Sequence, residues 1–204
     1  VILNSQFSIL NYPAGMRILF TRFPLESRFG GAEVQTLALM KGLKERGHEI
    51  SFLGSCPVLL KIADCKLHNV SIGQPPVSKW TTITFLWRQC TMKKKLISAI
   101  CNLQSSRPQA VCMLSLSEKI LLTPYLHTQG IKVIWIEHDR VGHWLTHNPW
   151  LSRLRKLSKI ATTIVVSDIS KKIYERLGFQ NVVAIPNGID VSRLQSKHQT
   201  AETH

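Results

Sequence analysis

The sequence MRILFTRFPLESRFGGAEVQTLALMKGLKERG, residues Met16 to Gly47, decides the fold. The run Arg17 to Thr21 is short and mostly apolar, as expected of a parallel strand that is covered on both faces. Gly30 and Gly31 allow positive φ and a close approach to a ligand. A helix is predicted from about Ala32, and its free N–H groups favour an anion such as a phosphate. An ordinary strand-to-helix turn has the same pattern, because a single Gly-Gly pair is a weak signal.

The composition is that of a globular and strongly basic protein. A chain of 204 residues, of which 44% are hydrophobic and 19% charged, can bury a core without a metal or a disulfide. The formal net charge of +14 favours an anionic partner, such as a membrane surface, a nucleic acid or a phosphorylated substrate. The five cysteines form no CxxC pair, so reduced thiols in a cytoplasmic protein are expected. No apolar run approaches the ~18 residues of a spanning helix, so membrane contact would be peripheral.

Strand and helix patterns alternate along the whole chain. Strands are predicted at 17–21, 49–54, 68–72, 109–116, 131–136, 162–167 and 182–185, and further helices at 84–104, 117–129, 150–160 and 168–177. The alternation predicts a Rossmann-like α/β fold, in which a parallel sheet carries helices on both faces with right-handed crossovers. Ligands bind beyond the carboxyl ends of such strands, where Gly30-Gly31, His138-Asp139 and Ser167 would line one edge.

Two segments combine aromatic and basic residues. The helix 84–104 is predicted to expose a cationic side of Arg88 and Lys93 to Lys95, and its candidate core positions are Phe85, Trp87, Leu96, Ile97, Ile100 and Leu103. Further on, Trp144 and Trp150 flank a segment that leads into a helix with Arg153, Arg155, Lys156 and Lys159. Rings beside cations suit a lipid headgroup layer or a sugar face, so these six residues are interpreted as membrane-facing. The alternative is a solvated helix face with three core leucines.

The loop EHDRVGHWLTHNPW contains His138, His143 and His147, which raises the question of a metal site. His143 and His147 have the spacing of one helical face, but the residues between them include no glutamate of the metalloprotease pattern. No bound metal is therefore expected.

Several motifs, taken in their order, resemble the N-terminal half of a family-4 retaining glycosyltransferase of the GT-B fold. The resemblance covers about Met16 to Asp190, and the spacing of the motifs matters more than any one of them. The motifs are GGAE (30–33), GLKERGHEI (42–50), IEHD (136–139), VVSDISKKIYERLG (165–178) and VVAIPNGID (182–190).

The resemblance implies a domain division. Residues 1–15 would precede a natural start at Met16, residues 16–190 would form the Rossmann-like N-terminal domain, and the polar tail 191–204 would stand where the C-terminal donor domain begins. In the family the first domain mainly holds the acceptor and the second the nucleotide-sugar donor. The second domain's basic residue for the diphosphate and its Glu-x7-Glu pair have no positions in this chain, so the chain alone is expected to be inactive.

The resemblance also implies roles for single residues. His138 would lie near the transferred sugar, where an imidazole can hydrogen-bond a hydroxyl or relay a proton; Asp139 is the second catalytic candidate. The residues implied in donor or substrate binding are Gly30, Gly31, Glu33, Arg140, Ser167 and Asn187. For Glu33 a structural role is favoured, because its charge in the first helical turn would repel a nearby phosphate.

The implied function is transfer of a sugar, with retention, from a nucleotide-sugar donor to a lipid-linked or polysaccharide acceptor in cell-envelope polysaccharide synthesis. No cofactor is implied beyond the nucleotide-sugar co-substrate. The expected location is the cytoplasm or, peripherally, the inner face of the membrane, and the expected partner is the missing C-terminal domain in cis or in trans. Two alternatives stay open: a basic α/β nucleic-acid-binding domain, and a non-catalytic subunit of a two-chain transferase.

Overall fold

The computed structural model describes residues 15–23, 30–56, 59–61, 66–73, 79–103, 107–138 and 143–188. Seven strands form one all-parallel sheet in the order β3-β2-β1-β4-β5-β6-β7. The strands are β1 (Arg17–Arg22), β2 (Glu49–Gly54), β3 (Lys66–Asn69), β4 (Ala110–Met113), β5 (Lys132–Glu137), β6 (Thr162–Val165) and β7 (Val182–Ala184). The helices are α1 (Gly31–Glu45), α2 (Lys79–Cys101), α3 (Leu116–Thr128), α4 (His143–Thr146), α5 (Leu151–Leu157) and α6 (Asp168–Arg176).

The sheet separates two hydrophobic clusters because successive side chains of a strand point to opposite faces. Ile18 and Phe20 of β1 pack with Met40 of α1 on one face. Leu19 between them belongs to the cluster on the other face, which also contains buried side chains of α2, α3, α5 and α6. The predicted architecture, a Rossmann-like parallel sheet with helices on both faces, is therefore confirmed.

The strand order reverses between β1 and β4. From β1 the chain moves outward through β2 to β3, and it then crosses back through α2 to start β4 on the other side of β1. In an open parallel sheet such a reversal opens a crevice at the carboxyl ends of the two central strands, and ligands bind there. The expected site is thus beyond Arg22 and Met113.

Some predicted boundaries differ from the structure. The helix predicted at 84–104 is α2, which already begins at Lys79, and the short strand β3 lies at 66–69 instead of 68–72. The basic helix predicted at 150–160 is α5 followed by a 3-10 helix at Ser158–Ile160. Among the described helices, none is both long and apolar enough to cross a membrane.

Two tryptophans occupy the opposite environments from those predicted. Trp87, a predicted core residue, is 84% exposed, whereas Trp150, predicted to face a membrane, is only 8% exposed. The Trp150 ring packs edge-on against Phe85 with a centroid distance of 5.3 Å and an interplanar angle of 80°. Residues two apart in a helix point about 200° away from each other, so Phe85 and Trp87 cannot both face the core. Trp150 is therefore not membrane-facing.

The carboxyl end of β1 is joined to the start of α3 by side-chain hydrogen bonds. Phe23 N–H donates to Ser115 Oγ at 2.8 Å, and Ser115 N–H donates to Glu118 Oε1 at 2.6 Å. The hydroxyl of Thr21 donates to the same Glu118 oxygen at 3.3 Å. Ser115 and Glu118 thus form the capping box of α3, and the box is also tied to β1.

The Glu118 carboxyl is completely buried, and this changes its titration. Burial raises the pKa of Glu118 from its ordinary value of 4.5 to about 7, although its backbone hydrogen bonds oppose the rise. Oε1 accepts the Ser115 N–H and the Thr21 hydroxyl, while Oε2 is buried without a hydrogen-bond partner in the part of the chain that is described. At slightly acid pH the Glu118 carboxyl is therefore largely protonated.

We predict that Glu118→Gln flattens the pH dependence of stability. A carboxyl with a folded-state pKa of about 7 and an unfolded-state value near 4.5 stabilises the fold below pH 4.5 and loses this contribution as the pH rises to 7. The loss is roughly 3 kcal/mol at about 1.36 kcal/mol per pH unit. Glu118→Gln should therefore be the more stable protein at pH 8, as measured by urea unfolding at several pH values.

The control is Glu175→Gln on the exposed side of α6, which removes one carboxyl from the surface. If Glu118→Gln shows the same dependence of the unfolding free energy on pH as the wild type, Glu118 does not carry the buried proton.

Candidate functional site

The first turn of α1 opens onto the carboxyl edge of the sheet. Gly30, the residue before the helix, has φ −137° and ψ −178°, so the expected positive φ is not used and its backbone is extended. The first helical hydrogen bond runs from Val34 N–H to Gly30 O at 3.2 Å. The amides of residues 31–33 therefore have no acceptor within the helix. A Cβ at Gly31 would meet nothing within 4 Å, so glycine leaves the surface beside these amides open.

Glu33 has a structural role in the same turn. Its side chain is buried, its Oε2 accepts the Gly30 N–H at 3.0 Å, and its Oε1 forms an ion pair with Arg22 at the end of β1. The carboxylate thus holds the helix start against the central strand, as the helix-dipole argument suggested. A direct contact of Glu33 with an acceptor stays a prediction.

His138 follows β5 directly and lies next to α1. Its Nε2 is 3.3 Å from the hydroxyl oxygen of Thr36, in the second turn of that helix. The Thr36 hydroxyl donates its own proton to Ala32 O at 2.7 Å, so its lone pairs face the imidazole. Nε2 must then be the donor, and the half-buried His138 ring is held in one orientation beside the helix.

The turn after β7 reaches the same edge. Gln35 Nε2 of α1 donates to Gly188 O at 3.4 Å, and Asn187 next to Gly188 is exposed. The structure thus brings α1 and the end of β5 together at one edge, as the sequence predicted, and it also places the Pro-Asn-Gly turn there. A ligand contact of Asn187 stays a prediction.

Ser167 lies at the end of β6 on the same edge, but its hydroxyl caps α6. The hydroxyl oxygen of Ser167 accepts the Ser170 N–H at 3.1 Å, and the hydroxyl donates its proton to Ser170 Oγ at 3.0 Å. A ligand contact of Ser167 would have to compete with this cap, and it stays a prediction.

Three described carboxyl groups at this edge are neutralised by their surroundings. Glu33 pairs with Arg22, and Glu137 at the end of β5 accepts from Lys119 Nζ at 2.8 Å. Glu118 is largely protonated below its raised pKa of about 7. These three carboxyl groups therefore add little of the repulsion that free carboxylates would exert on a phosphate beside the α1 amides, whereas the exposed Asp168 lies farther along the edge in the first turn of α6.

Several predicted positions lie outside the described residues. They include Asp139 and Arg140, and also the side chains of His143 and Trp144, so the metal question at the three histidines is untested. Among the predicted cations of α5, Arg153, Lys156 and Lys159 are exposed. The exposed Arg155 also donates from Nε to Leu177 O. Arg153 lies over the buried Trp150 ring, at 5.5 Å from the centroid.

Sequence reasoning missed three residues of the site. Glu118 could have been found, because Ser115-x-x-Glu118 is a capping-box pattern at a strand end. Thr36 and Arg22 gave no local signal, since their roles depend on contacts with His138 and Glu33 across the fold.

A shallow depression also exists at the opposite, amino-terminal edge of the sheet, and its lining includes Arg17 and Arg107. Both guanidinium groups are engaged by the protein itself. Arg107 donates to the backbone and the side-chain oxygen of Gln129, at 2.8 and 2.6 Å, and Arg17 Nε donates to Arg107 O at 3.0 Å. These contacts favour a structural role for the depression.

Solved structures with the same fold include a glycosyltransferase and two proteins in complex with nucleotide sugars. The chain aligns with Anabaena Alr3699/HepE in complex with UDP-glucose at 16% identity and TM-score 0.61, over 91% of this chain and 50% of that one. It aligns with Arabidopsis thaliana UGT89C1 complexed with UDP-L-rhamnose at 11% identity and TM-score 0.58, over 90% and 54%. It aligns with a glycosyltransferase from Rickettsia africae at 14% identity and TM-score 0.56, over 93% of this chain and 50% of that one.

At these identities the similarity establishes the fold, and the chain spans about half the length of each of these proteins. The sheet is thus one half of a GT-B architecture, as the resemblance implied. No curated protein sequence matches the chain.

A profile described as Glycosyltransferase Family 4 matches residues 29–193, which is most of the chain and contains both the Gly-Gly pair and the Pro-Asn-Gly turn. The chain therefore belongs to Glycosyltransferase Family 4.

Proposed function

We propose that this chain forms one wall of a nucleotide-sugar crevice in a glycosyltransferase. The whole enzyme would transfer the sugar, with retention, to a lipid-linked or polysaccharide acceptor in cell-envelope polysaccharide synthesis. The observation that carries the proposal is the meeting of three segments at the carboxyl edge: the start of α1, His138 and Gly188 are linked through Thr36 and Gln35.

The electrostatics of the edge support an anionic ligand. The amides of residues 31–33 carry the positive end of the α1 dipole, which contributes about 0.3–1 kcal/mol toward an exposed anion and up to ~2 kcal/mol when partly buried. The ion pairs of Glu33 and Glu137 remove two negative charges from the same surface. The solved structures in complex with UDP-glucose and UDP-L-rhamnose are consistent with a diphosphate in this role.

His138 is the residue proposed to act on the sugar. A hydrogen bond between its ring and a sugar hydroxyl would position the transferred sugar, and an imidazole can exchange a proton near neutral pH. Asp139, Arg140, Ser167 and Asn187 are proposed binding or catalytic neighbours on the strength of the resemblance. No metal enters this proposal.

The chain spans only half the length of the solved structures it matches, so the opposite wall of the crevice is proposed to come from a donor domain in cis or in trans. The proposed location is cytoplasmic, with peripheral contact to an anionic membrane. If the donor domain is a separate chain, the two should co-elute in gel filtration, and the present chain would be the non-catalytic subunit of that pair.

We predict that the chain alone binds UDP-glucose weakly, because it supplies only one wall. The expected dissociation constant is in the millimolar range, which corresponds to a binding free energy of about −4 kcal/mol, or the binding is too weak for calorimetry to detect. Isothermal titration calorimetry tests this, and micromolar affinity would contradict the half-site picture.

We predict that Gly31→Ala weakens this contact while Gly42→Ala in the same helix does not. Neither new Cβ meets an atom within 4 Å, so both variants should fold. Only the Gly31 methyl would lie beside the open amides. In ¹H–¹⁵N spectra with UDP-glucose, wild-type shifts should cluster at residues 30–33 and 138, and Gly31→Ala should reduce them at least about threefold, since roughly 0.6 kcal/mol of the dipole interaction suffices.

The same spectra can contradict the proposal. Equal shifts in Gly31→Ala and wild type, or shifts concentrated around Arg17 and Arg107, would place the nucleotide elsewhere. Gly42→Ala should meanwhile raise the unfolding free energy by up to about 1 kcal/mol, because alanine favours a helix interior over glycine.

The net charge of +14 is the observation that favours nucleic-acid binding as a second function. The described exposed cations lie on α1, α2, α5 and α6 and also at Arg107, Lys132 and Lys159, so they are not confined to one element. We therefore predict only weak binding to RNA or DNA in a filter assay. Low-micromolar affinity with a steep dependence on salt would favour the nucleic-acid function instead.

A further inference from the structure

The outer surface of α2 is unusually apolar. Six large hydrophobic side chains are exposed among the described residues, and four of them lie within α2: Trp80 (81%), Ile83 (50%), Leu86 (48%) and Trp87 (84%). Single exposed hydrophobic residues are normal on a protein surface, but a contiguous group marks an interaction site.

These side chains form a second apolar face on one helix. Trp80, Ile83 and Trp87 have the i, i+3, i+7 spacing of one helical stripe. The opposite stripe, which includes Phe85 and Leu96, is fully buried in the core. Since the core already uses that stripe, the described part of the fold leaves the Trp80–Trp87 stripe uncovered.

The charges of α2 add a second, independent feature. The helix continues from this stripe to Lys93, Lys94 and Lys95, all exposed, and its 23 residues include no Asp or Glu. Lys94 is seven residues after Trp87 and therefore lies on the same side of the helix. An apolar stripe that is continued by lysines complements an anionic surface with an apolar layer beneath it.

We propose that this face of α2 docks the protein on an anionic lipid bilayer. Indole rings prefer the membrane–water interface, where their apolar bodies are buried beside the headgroups, and amphipathic helices bind with the apolar stripe inserted and the cations on the headgroups. Lys93, Lys94 and Lys95 would contact the lipid phosphates while Trp80 and Trp87 insert. A protein partner would match the apolar stripe and the lysines together only if it combined an apolar patch with acidic residues around that patch.

The orientation of α2 gives this docking a consequence. The helix connects the carboxyl end of β3 to the amino end of β4, so its Trp-bearing first half lies toward the edge that carries His138. A membrane in contact with this half would adjoin the candidate site. The proposal rests on the proposed function in that it assigns the peripheral membrane contact to α2, but it can hold or fail apart from sugar transfer, because lipid binding is measured without donor or acceptor.

The test is cosedimentation of the 204-residue chain with vesicles of phosphatidylglycerol and phosphatidylcholine, compared with phosphatidylcholine alone. The wild type should bind only the anionic vesicles. The double variant Trp80→Ala/Trp87→Ala should fold, since both rings are more than four-fifths exposed, and its partition coefficient should fall at least about tenfold. The matched apolar control is Ile169→Ala on α6, a side chain 73% exposed, which should bind like the wild type.

The lysines are tested separately. The triple variant Lys93→Gln, Lys94→Gln and Lys95→Gln should reduce partitioning roughly 100-fold at low salt, because each Lys near an anionic surface contributes about 1 kcal/mol. The control set Lys156→Gln, Lys159→Gln and Lys172→Gln removes the same number of exposed charges from α5 and its neighbours and should stay within about twofold of the wild type.

Other results overturn the proposal. If the wild type does not bind the anionic vesicles, or if the α5 set weakens binding as much as the α2 set, α2 is not the docking face. If sedimentation equilibrium shows a dimer that Trp80→Ala/Trp87→Ala abolishes, and the vesicles stay unbound, a second copy of the chain covers the face instead.

Discussion

The reversal of strand order between β1 and β4 is the constraint on which the rest of the structure depends. Parallel strands end at one edge, and at the reversal the helices that follow the two central neighbours β1 and β4 depart to opposite faces, which opens a crevice between them. Here α1 and α3 depart to those opposite faces. The hydrogen bonds from Phe23 and Thr21 to the capping box of α3 fasten the carboxyl ends of β1 and β4 to each other at that point.

The carboxyl groups near the reversal share one logic. Each is needed to hold an element in place, yet each would repel an anion if it remained charged and free. Glu33 is compensated by Arg22, Glu137 by Lys119, and Glu118 by a proton that its burial retains. The structural role of these acids is therefore compatible with the proposed anion site.

The sequence allowed most of the fold to be predicted but only part of the site. Runs such as IKVIWI and TTIVVS are short, apolar and bounded by turn residues, so the strands and the parallel sheet could be predicted from local patterns. The placement of Gly30, His138 and Ser167 at one edge could be predicted from topology, because parallel strands share an edge. The Thr36–His138 and Arg22–Glu33 contacts could not be predicted, since each joins residues whose geometry is set by tertiary packing.

The predicted environments of Trp87 and Trp150 were wrong for a different reason. Helix α2 has apolar residues on two sides, so periodicity alone does not show which side packs on the core, and Trp87 was assigned to the wrong side. Trp150 lies beside basic residues in the sequence, and this pattern favoured an exposed ring. The core selected the stripe of Phe85, and Trp150 then filled the space against it.

The edge-on packing of Phe85 against Trp150 also limits how α2 can move. Phe85 has no exposed surface, so turning the helix about its long axis would pull this ring away from the indole and open a gap in the interior. This packing opposes rotation of α2 about its long axis, so the Trp80–Trp87 stripe keeps one orientation relative to the sheet. A bilayer bound to that stripe would therefore contact the domain at a single tilt angle between the membrane plane and the sheet.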